Sequence, residues 1–229
     1  MNPGALDIVA IGDAIVDVIA TAEDSFLEAH GLTKGSMQLL STDQADALYS
    51  AMGPAREVSG GSAANSMAGV AALGLDAGFI GQVADDQLGD IFSHDMTSLG
   101  VRFETPPLKE GPPTGRCLIL VTPDAQRTMN TCPGASHELT PEALDEDMVR
   151  SAAVTFLEGY LWGPERPRQA MLEALAHDVL EVRVQHADRL RIGQPVGQRR
   201  AVARDLQYVY QDPGASLDPR WKIRALLHE

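Results

Sequence analysis

The sequence predicts an α/β fold, in which short strands and amphipathic helices alternate along the chain. Short runs rich in β-branched residues are followed by stretches whose apolar residues recur at helical spacing, and this order is typical of a parallel sheet covered by helices. Hydrophobic residues make up 44% of the 229 residues and charged residues 22%. That composition is typical of soluble domains and excludes a disordered or fibrous chain. The length is enough to bury one sizeable core.

The first half of the chain opens with β structure. The runs from Leu6 to Ile11 and from Ala14 to Ala20 predict two strands with a bend at Gly12-Asp13. Ser62 is a suitable N-cap for a helix that continues to about Leu73, and the small residues of this helix permit close packing on a sheet. We expect a further strand over 78–83.

The second half continues the alternation. A helix capped by Asp85 or Asp86 is predicted before Gly100, because five apolar residues recur there at helical spacing: Leu88, Ile91, Phe92, Met96 and Leu99. Strand-like runs over 116–122 and 128–132 flank a proline-containing turn and predict a hairpin. A buried strand is expected over 154–157, and a helix that begins with prolines over 164–177.

The charge of the chain excludes some partners. Lys and Arg number 18 against 32 Asp and Glu, which gives a net charge of −14 at pH 7. This balance repels phosphate backbones and anionic lipid, so we expect no nucleic-acid partner for the whole chain, although a local basic patch stays open. Residues 1–178 carry a net −17 and residues 179–229 a net +3. The asymmetry fits either a basic tail that binds an anion or two segments of different origin.

The cysteines and the N-terminus bear on the compartment. Cys117 and Cys132 are too few for a disulfide framework, which favours a reducing compartment and roles as small core residues. The N-terminal apolar stretch contains three aspartates and follows no Lys or Arg, unlike a secretory or transit peptide. We therefore expect a cytoplasmic protein without a membrane span. The six histidines show no ligand spacing, so no metal site is predicted.

Two groups of residues are candidates for a binding site. Asp13 and Asp17 are four residues apart, which on a strand places both carboxylates on one face, where they can accept hydrogen bonds from the hydroxyls of a polyol. Two solvated aspartates beside a bend is the alternative. Gly60 and Gly61 precede the helix that contains Asn65, and glycines there permit close backbone approach to a ligand, although glycines before a helix are more often a simple turn.

These candidate residues lie within motifs that resemble those of a known family. Three stretches occur in the order seen in the ribokinase-like (PfkB) carbohydrate kinases: Ile11–Asp17, Gly60–Asn65 and Phe79–Gly89. Two later stretches, Thr114–Met129 and Leu157–Trp162, look like the bacterial adenosine-kinase-like branch. The resemblance covers residues 5 to 177.

The resemblance implies a ribokinase-like, Rossmann-type α/β sandwich with a small β lid. Residues 1–177 would form the N-terminal part of the kinase domain, with lid strands at about 14–20, 36–41 and 102–132. In this family a sugar or nucleoside binds between lid and sheet, and its primary hydroxyl is phosphorylated from Mg-ATP. The expected function is therefore that of a sugar or nucleoside kinase similar to adenosine kinase.

The resemblance also implies roles for single residues. Asp13 and Asp17 would hold ribose hydroxyls, and the Gly60-Gly61 backbone with Asn65 would complete that contact.

Two further residues keep alternatives open. Arg127 would either reach the substrate or pair with Asp124, and Glu158 would either lie near the substrate or be an ordinary surface carboxylate.

The expected catalytic half is missing from the sequence. Family members carry a Gly-Ala-Gly-Asp string with the general base and an Asn-x-x-Glu motif for Mg-phosphate, and neither string occurs here. Loss of a general base alone costs about 10² to 10⁴ in rate. We therefore expect no catalytic residue, no site for Mg-ATP and essentially no kinase turnover.

The tail resembles a different family. Arg199–Arg220, within about 190–229, is similar to the Q-loop region of ATP-binding subunits of oligopeptide-type ABC transporters, and Gln211 matches the Q-loop glutamine. The phosphate-binding loop of such ATPases is absent, so no nucleotide site is expected there. The alternative function is a non-enzymatic chimaeric or transporter-associated protein. An incomplete core also predicts self-association through the lid or exposed core surface.

Overall fold

The computed structural model describes residues 5–176, 182–185 and 206–209. The strands of these residues are β1 (Leu6–Ile11), β2 (Ile15–Thr21), β3 (Met37–Leu39), β4 (Arg56–Gly60), β5 (Ala77–Ile80), β6 (Val101–Phe103), β7 (Gly115–Val121), β8 (Arg127–Cys132), β9 (Ala152–Glu158), β10 (Val182–Gln185) and β11 (Leu206–Val209). The α-helices are α1 (Asp24–Ala29), α2 (Thr42–Ala51), α3 (Ser62–Ala72), α4 (Gln87–Ser98), α5 (Glu146–Ser151) and α6 (Glu165–Ala176). Short 3₁₀ turns lie at Gly134–Glu138, Pro141–Ala143 and Gly159–Trp162.

Six strands form the main sheet, in the order β11-β10-β9-β1-β5-β6. Every neighbouring pair in this sheet is parallel. Ile11 is paired with Ile80 on one side and with Leu157 on the other, so the carboxyl ends of the three strands meet at one edge. The alternation of strands and helices produces this sheet because parallel neighbours need a crossover between them. The predicted α/β class is confirmed.

Five strands form a second sheet, the lid, in the order β3-β8-β7-β2-β4. Its central strands β7 and β8 form the predicted antiparallel hairpin, and β7 lies parallel to β2. Strand β4 closes one edge and is antiparallel to β2. Strand β4 is not predictable from the sequence, because its segment Arg-Glu-Val-Ser-Gly lacks the run of apolar β-branched residues that indicates a strand.

One predicted lid boundary is wrong. The range 102–132 begins inside β6, and β6 pairs with β5 in the main sheet. The physical reason is that α4 is a crossover: a helix between two parallel strands returns the chain to the same sheet. The lid strands of this part of the chain start at Gly115.

The helices begin close to their predicted positions. Asp86 is the N-cap of α4, and its side chain accepts a hydrogen bond from the Gly89 N–H, as one of the two predicted caps. The N-cap of α3 is Gly61, and Ser62 is the first helical residue, so the prediction of Ser62 as the cap is wrong. The Ser62 hydroxyl instead donates to Glu158, a partner distant in sequence.

Helices pack on both faces of the main sheet. Phe79, Phe92 and Met67 lie in a fully buried cluster on the side of α3 and α4. Val9 and Ile11 lie in a second cluster with Met148 and Met171 on the side of α5 and α6. Because β1 is buried on both faces, its sequence is a nearly continuous apolar run rather than an alternating one. Among the described residues, no helix has the length and apolar character needed to cross a membrane.

Candidate functional site

The candidate site lies where the carboxyl ends of β1 and β9 meet the base of the lid. β1 ends at Ile11 and the chain bends through 12–14 before β2 begins at Ile15. β2 pairs with β4 in a register that places Ile15 opposite Gly60, immediately before α3. The edge formed by the carboxyl ends of parallel strands is where open α/β sheets bind ligands.

Asp13 lies in this bend and is buried, with 7% of its surface exposed. Its Oδ1 atom is buried and has no hydrogen-bond partner among the described residues. Its main-chain N–H donates to Glu158 Oε2 at 2.6 Å. A buried carboxylate oxygen without a donor is costly, so Asp13 presents an acceptor that a ligand hydroxyl can satisfy.

Glu158 is the last residue of β9 and is only 1% exposed. One carboxylate oxygen accepts the Asp13 N–H, and the other accepts the Ser62 hydroxyl. The carboxylate therefore connects the central strand of the sheet, the bend after β1 and the first turn of α3. The alternative that Glu158 is an ordinary surface carboxylate is wrong, because it is enclosed by these two segments.

Asp17 and the two glycines form the opposite wall. Asp17 is half-buried on β2. A Cβ on Gly60 would lie 2.5 Å from the Asp17 carboxyl carbon, so the Asp17 side chain occupies the space that a side chain at 60 would need. Gly61 has φ +92°, and a Cβ there would lie 2.5 Å from the Asp13 carbonyl oxygen. The glycine turn thus packs directly against both aspartates. The prediction that Asp13 and Asp17 share one face of a strand is wrong, because Asp13 precedes β2.

Asn65 lies in the first turn of α3 and is exposed. Its main-chain N–H donates to the Gly61 carbonyl at 2.9 Å, so the backbone fixes the position of the residue at the end of the glycine turn. The structure therefore brings five predicted positions and Glu158 to one end of the lid.

Arg127 is placed elsewhere. It is exposed and pairs in register with Val121, which in turn lies opposite Thr21 at the far end of β2. Thr21 is six residue steps along β2 from Ile15, which corresponds to about 20 Å. Asp124 pairs with Lys34 at 2.8 Å. The structure does not bring Arg127 to the other candidate residues.

Burial and the crowding of acidic groups disfavour their charged forms at the site. Burial, and then the charge of Glu158, raise the pKa of Asp13 well above its ordinary value. Partial burial also raises the pKa of Asp17. Burial, followed by the charges of Glu158 and Asp13, raises the pKa of Tyr160. The two aspartates are thus partly or fully removed from water, where hydrogen-bond donors from a ligand are most effective.

Sequence reasoning missed three residues of this site: Gly12, Ser62 and Tyr160. A Cβ on Gly12 would lie 2.6 Å from Glu158 Oε2 and 2.6 Å from the Ala63 Cβ, so only glycine permits this contact. The Gly-Asp pair at the predicted bend was the available signal for Gly12. Ser62 and Tyr160 lie within the motifs Gly60–Asn65 and Leu157–Trp162, but no local pattern indicates their roles, since the partner of Ser62 is 96 residues away and Tyr160 depends on the burial of Asp13 and Glu158.

Two other predictions concern metals and the tail. Residues 5–176 and the two short described strands contain no group of three or more His, Cys, Asp or Glu that could hold a metal ion. Gln211 lies outside the described residues. Two short segments after residue 177, β10 and β11, extend the main sheet beside β9.

Comparison with known proteins identifies the family. Residues 5–189 match the model of the pfkB family carbohydrate kinases, and the chain belongs to this family. The match continues past residue 177.

Relatives with known names are nucleoside and sugar kinases. The chain is similar to an adenosine kinase structure from Sinorhizobium meliloti, with 51% identity and a TM-score of 0.72 over 80% of this chain and 57% of that one. It is also similar to a probable sugar kinase structure from Rhizobium etli, with 46% identity and a TM-score of 0.72 over 80% of this chain and 56% of that one. A guanosine-inosine kinase from Escherichia coli (strain K12) is 27% identical over 162 residues, which are 67% of this chain and 37% of that protein. The chain thus spans well under two thirds of each relative.

Proposed function

We propose that residues 5–176 form the substrate-binding wall and lid of a nucleoside kinase, and that the ligand is a ribosyl nucleoside such as adenosine. The observation that carries this proposal is that Asp13 and Asp17 both lie against the Gly60-Gly61 turn. Asp13 offers a buried oxygen without a donor, and Asp17 offers a half-buried carboxylate. Adjacent hydroxyls of a ribose are donors suited to two such acceptors.

The names of the relatives support a nucleoside over other polyols. Two of the three compared proteins act on purine nucleosides by name, and one is named as a probable sugar kinase. The common chemical group of these substrates is the sugar ring with its hydroxyls. We infer that Asp13 and Asp17 hold that ring, with Asn65 at the glycine turn as a further polar contact.

The phosphoryl donor implied by the family is Mg-ATP, transferred to the primary hydroxyl of the nucleoside. The geometry of the described residues bears on the nucleoside and not on the phosphoryl donor. No step of the reaction is therefore assigned to these residues. We propose that this chain by itself binds the nucleoside without turnover, in the cytoplasm.

Self-association through the lid is part of the same proposal. One face of the lid carries exposed apolar side chains at its outer strand β3, with Leu39 67% and Met37 51% exposed. Exposed apolar surface of this kind favours contact with a second copy. No observation on the described residues favours the transporter-associated alternative, and the resemblance of the tail to an ABC subunit stays a prediction.

The test is a calorimetric titration of the chain with adenosine and with ribose. Asp17→Ala should weaken adenosine binding about tenfold or more, because a hydrogen bond to a charged group contributes about 1.5–3 kcal/mol. Asp76→Ala is the matched control, since Asp76 is exposed and precedes β5 at the opposite edge of the main sheet. Equal affinity of the wild type and Asp17→Ala would refute the proposed site. ATP-dependent phosphorylation of adenosine at a rate typical of kinases would refute binding without turnover.

A further inference from the structure

The junction between the lid and the main sheet contains a polar network outside the proposed ligand site. Asp86, the N-cap of α4, accepts the Gly89 N–H at 2.9 Å. The same carboxylate accepts the Thr114 N–H at 2.9 Å and the Thr114 hydroxyl at 2.7 Å. One side chain therefore caps a helix of the main domain and holds Thr114, the residue that directly precedes the lid strand β7.

Thr114 is 1% exposed and directly precedes β7. While its hydroxyl donates to Asp86, it also accepts the Ala84 N–H at 2.9 Å. Both capacities of the hydroxyl are thus used inside the protein. Because β7 lies between β2 and β8 at the centre of the lid, Thr114 is attached directly to a central strand of the lid sheet.

The backbone around this network is packed without room for side chains. A Cβ on Gly89 would lie 2.1 Å from the Ala84 carbonyl oxygen, and a Cβ on Gly115 would lie 2.5 Å from the Pro133 carbonyl oxygen. The segments that carry Asp86 and Thr114 are therefore in direct main-chain contact with their neighbours. Such packing fixes the separation of the two hydrogen-bonding residues.

The charge of Asp86 persists at neutral pH. Partial burial raises its pKa, but the hydrogen bonds from Thr114 and from Gly89 outweigh that effect, and the pKa lies below its ordinary value. Hydrogen bonds to an ionised carboxylate are stronger than those between neutral groups.

We propose that Asp86 and Thr114 are positioning residues that hold the lid sheet at a fixed place over the ligand site. The attachment of the lid follows from the contacts at the junction, whereas its effect on the ligand rests on the proposed function. The Asp-Asp-Gln-Leu-Gly stretch that ends at Gly89 thereby has a role that requires no contact with a ligand: it joins the main sheet to the lid.

The experiment is hydrogen–deuterium exchange with mass spectrometry on the full chain, comparing peptides of β7 and β8 with peptides of β1 and β5. Thr114→Val removes the hydroxyl at similar volume, and Thr114→Ser restores it. Asp86→Asn keeps a good N-cap residue but loses one acceptor and the charge. Asp145→Asn is the matched control, since Asp145 caps α5 by accepting the Met148 N–H at 2.8 Å, outside the lid.

We expect Thr114→Val and Asp86→Asn to accelerate exchange in the lid peptides about tenfold or more, because each leaves a buried partner unsatisfied. Exchange in β1 and β5 should stay unchanged, Thr114→Ser should resemble the wild type, and Asp145→Asn should leave the lid unaffected. Unchanged lid exchange, or equal acceleration in both sheets, would overturn the proposal. Should Thr114→Val fail to fold, Asp86→Asn decides by the same criteria.

A second measurement tests the link to the ligand. The dissociation constant for adenosine should rise at least about fivefold in Asp86→Asn and stay near the wild-type value in Asp145→Asn. Equal constants in the two variants would overturn the effect on the ligand site. If the wild type binds no adenosine, the proposed function fails, while the exchange experiment still decides the attachment of the lid.

Discussion

Substituting Gly60 by alanine should weaken ligand binding while leaving the fold largely intact. The new Cβ would lie 2.5 Å from the Asp17 carboxyl carbon and 2.6 Å from each of its oxygens. Because these atoms are the end of a flexible side chain, Asp17 can rotate away at a cost of about 0.5–1.5 kcal/mol. The rotated carboxylate no longer faces the ligand, so the affinity for adenosine should fall about tenfold or more.

Two other glycines, Gly61 and Gly69, provide the controls for this prediction. Gly61→Ala meets the Asp13 carbonyl oxygen at 2.5 Å and sits at φ +92°, so it should cost at least about 2 kcal/mol of unfolding free energy as well as binding. Gly69→Ala in α3 meets nothing within 4 Å and should stabilise the protein by about 0.5–1 kcal/mol without changing affinity.

The assays are urea denaturation for stability and calorimetric titration for affinity. A Gly60→Ala variant that binds adenosine like the wild type would refute the placement of Asp17 in the ligand site. A Gly60→Ala variant as unstable as Gly61→Ala would refute the distinction between side-chain and backbone contacts.

Three further predictions concern stability. Burial and Glu158 raise the folded-state pKa of Asp13 above its usual 3.8, so the stability that its protonated form contributes is lost as the pH rises through the folded pKa. Relative to Asp13→Asn, the unfolding free energy of the wild type should therefore fall by up to about 1.4 kcal/mol per pH unit from near pH 4 upward; urea denaturation between pH 3 and 8 measures it, and a pH-independent difference would contradict it. Phe92→Ala should cost about 3–5 kcal/mol in the same assay, because the ring is fully buried between Phe79 and Phe103 at centroid distances of 5.7 and 5.3 Å. Leu73→Ala, at an 83% exposed position, should change stability by less than about 0.5 kcal/mol.

The secondary structure was predictable where a local signal exists. The cap of α4 by Asp86 and the hairpin of β7 and β8 follow from short-range patterns, and both are present. Strand β4 was not predictable, because its place in the lid depends on pairing with β2 rather than on its own residues. The wrong assignment of β6 to the lid has the same cause, because the crossover through α4 places β6 in the main sheet.

The candidate site divides along the same line. The glycine turn and the two aspartates were predictable as a group from motifs, although the reason for Gly60 is the volume of the Asp17 carboxylate, which no local pattern contains. The burial of Glu158 depends on Asp13 and Ser62, which are 145 and 96 residues away in the sequence. Arg127, in contrast, belongs to a sequence motif but lies far from the site. The register of β2 and β7 places it at the far end of the lid.

The buried carboxylates connect stability with binding. Asp13 and Glu158 are both nearly inaccessible to water, and the charge of Glu158 raises the pKa of Asp13, so the free protein bears an electrostatic cost at this edge of the sheet. The Glu158 carboxylate recovers part of that cost through the Asp13 N–H and the Ser62 hydroxyl, whereas Asp13 Oδ1 receives no donor from the described residues. A ligand hydroxyl at Oδ1 would therefore satisfy an acceptor that folding has already removed from water. Since that desolvation is complete before the ligand arrives, the hydrogen bond contributes more to affinity than one formed at an exposed carboxylate.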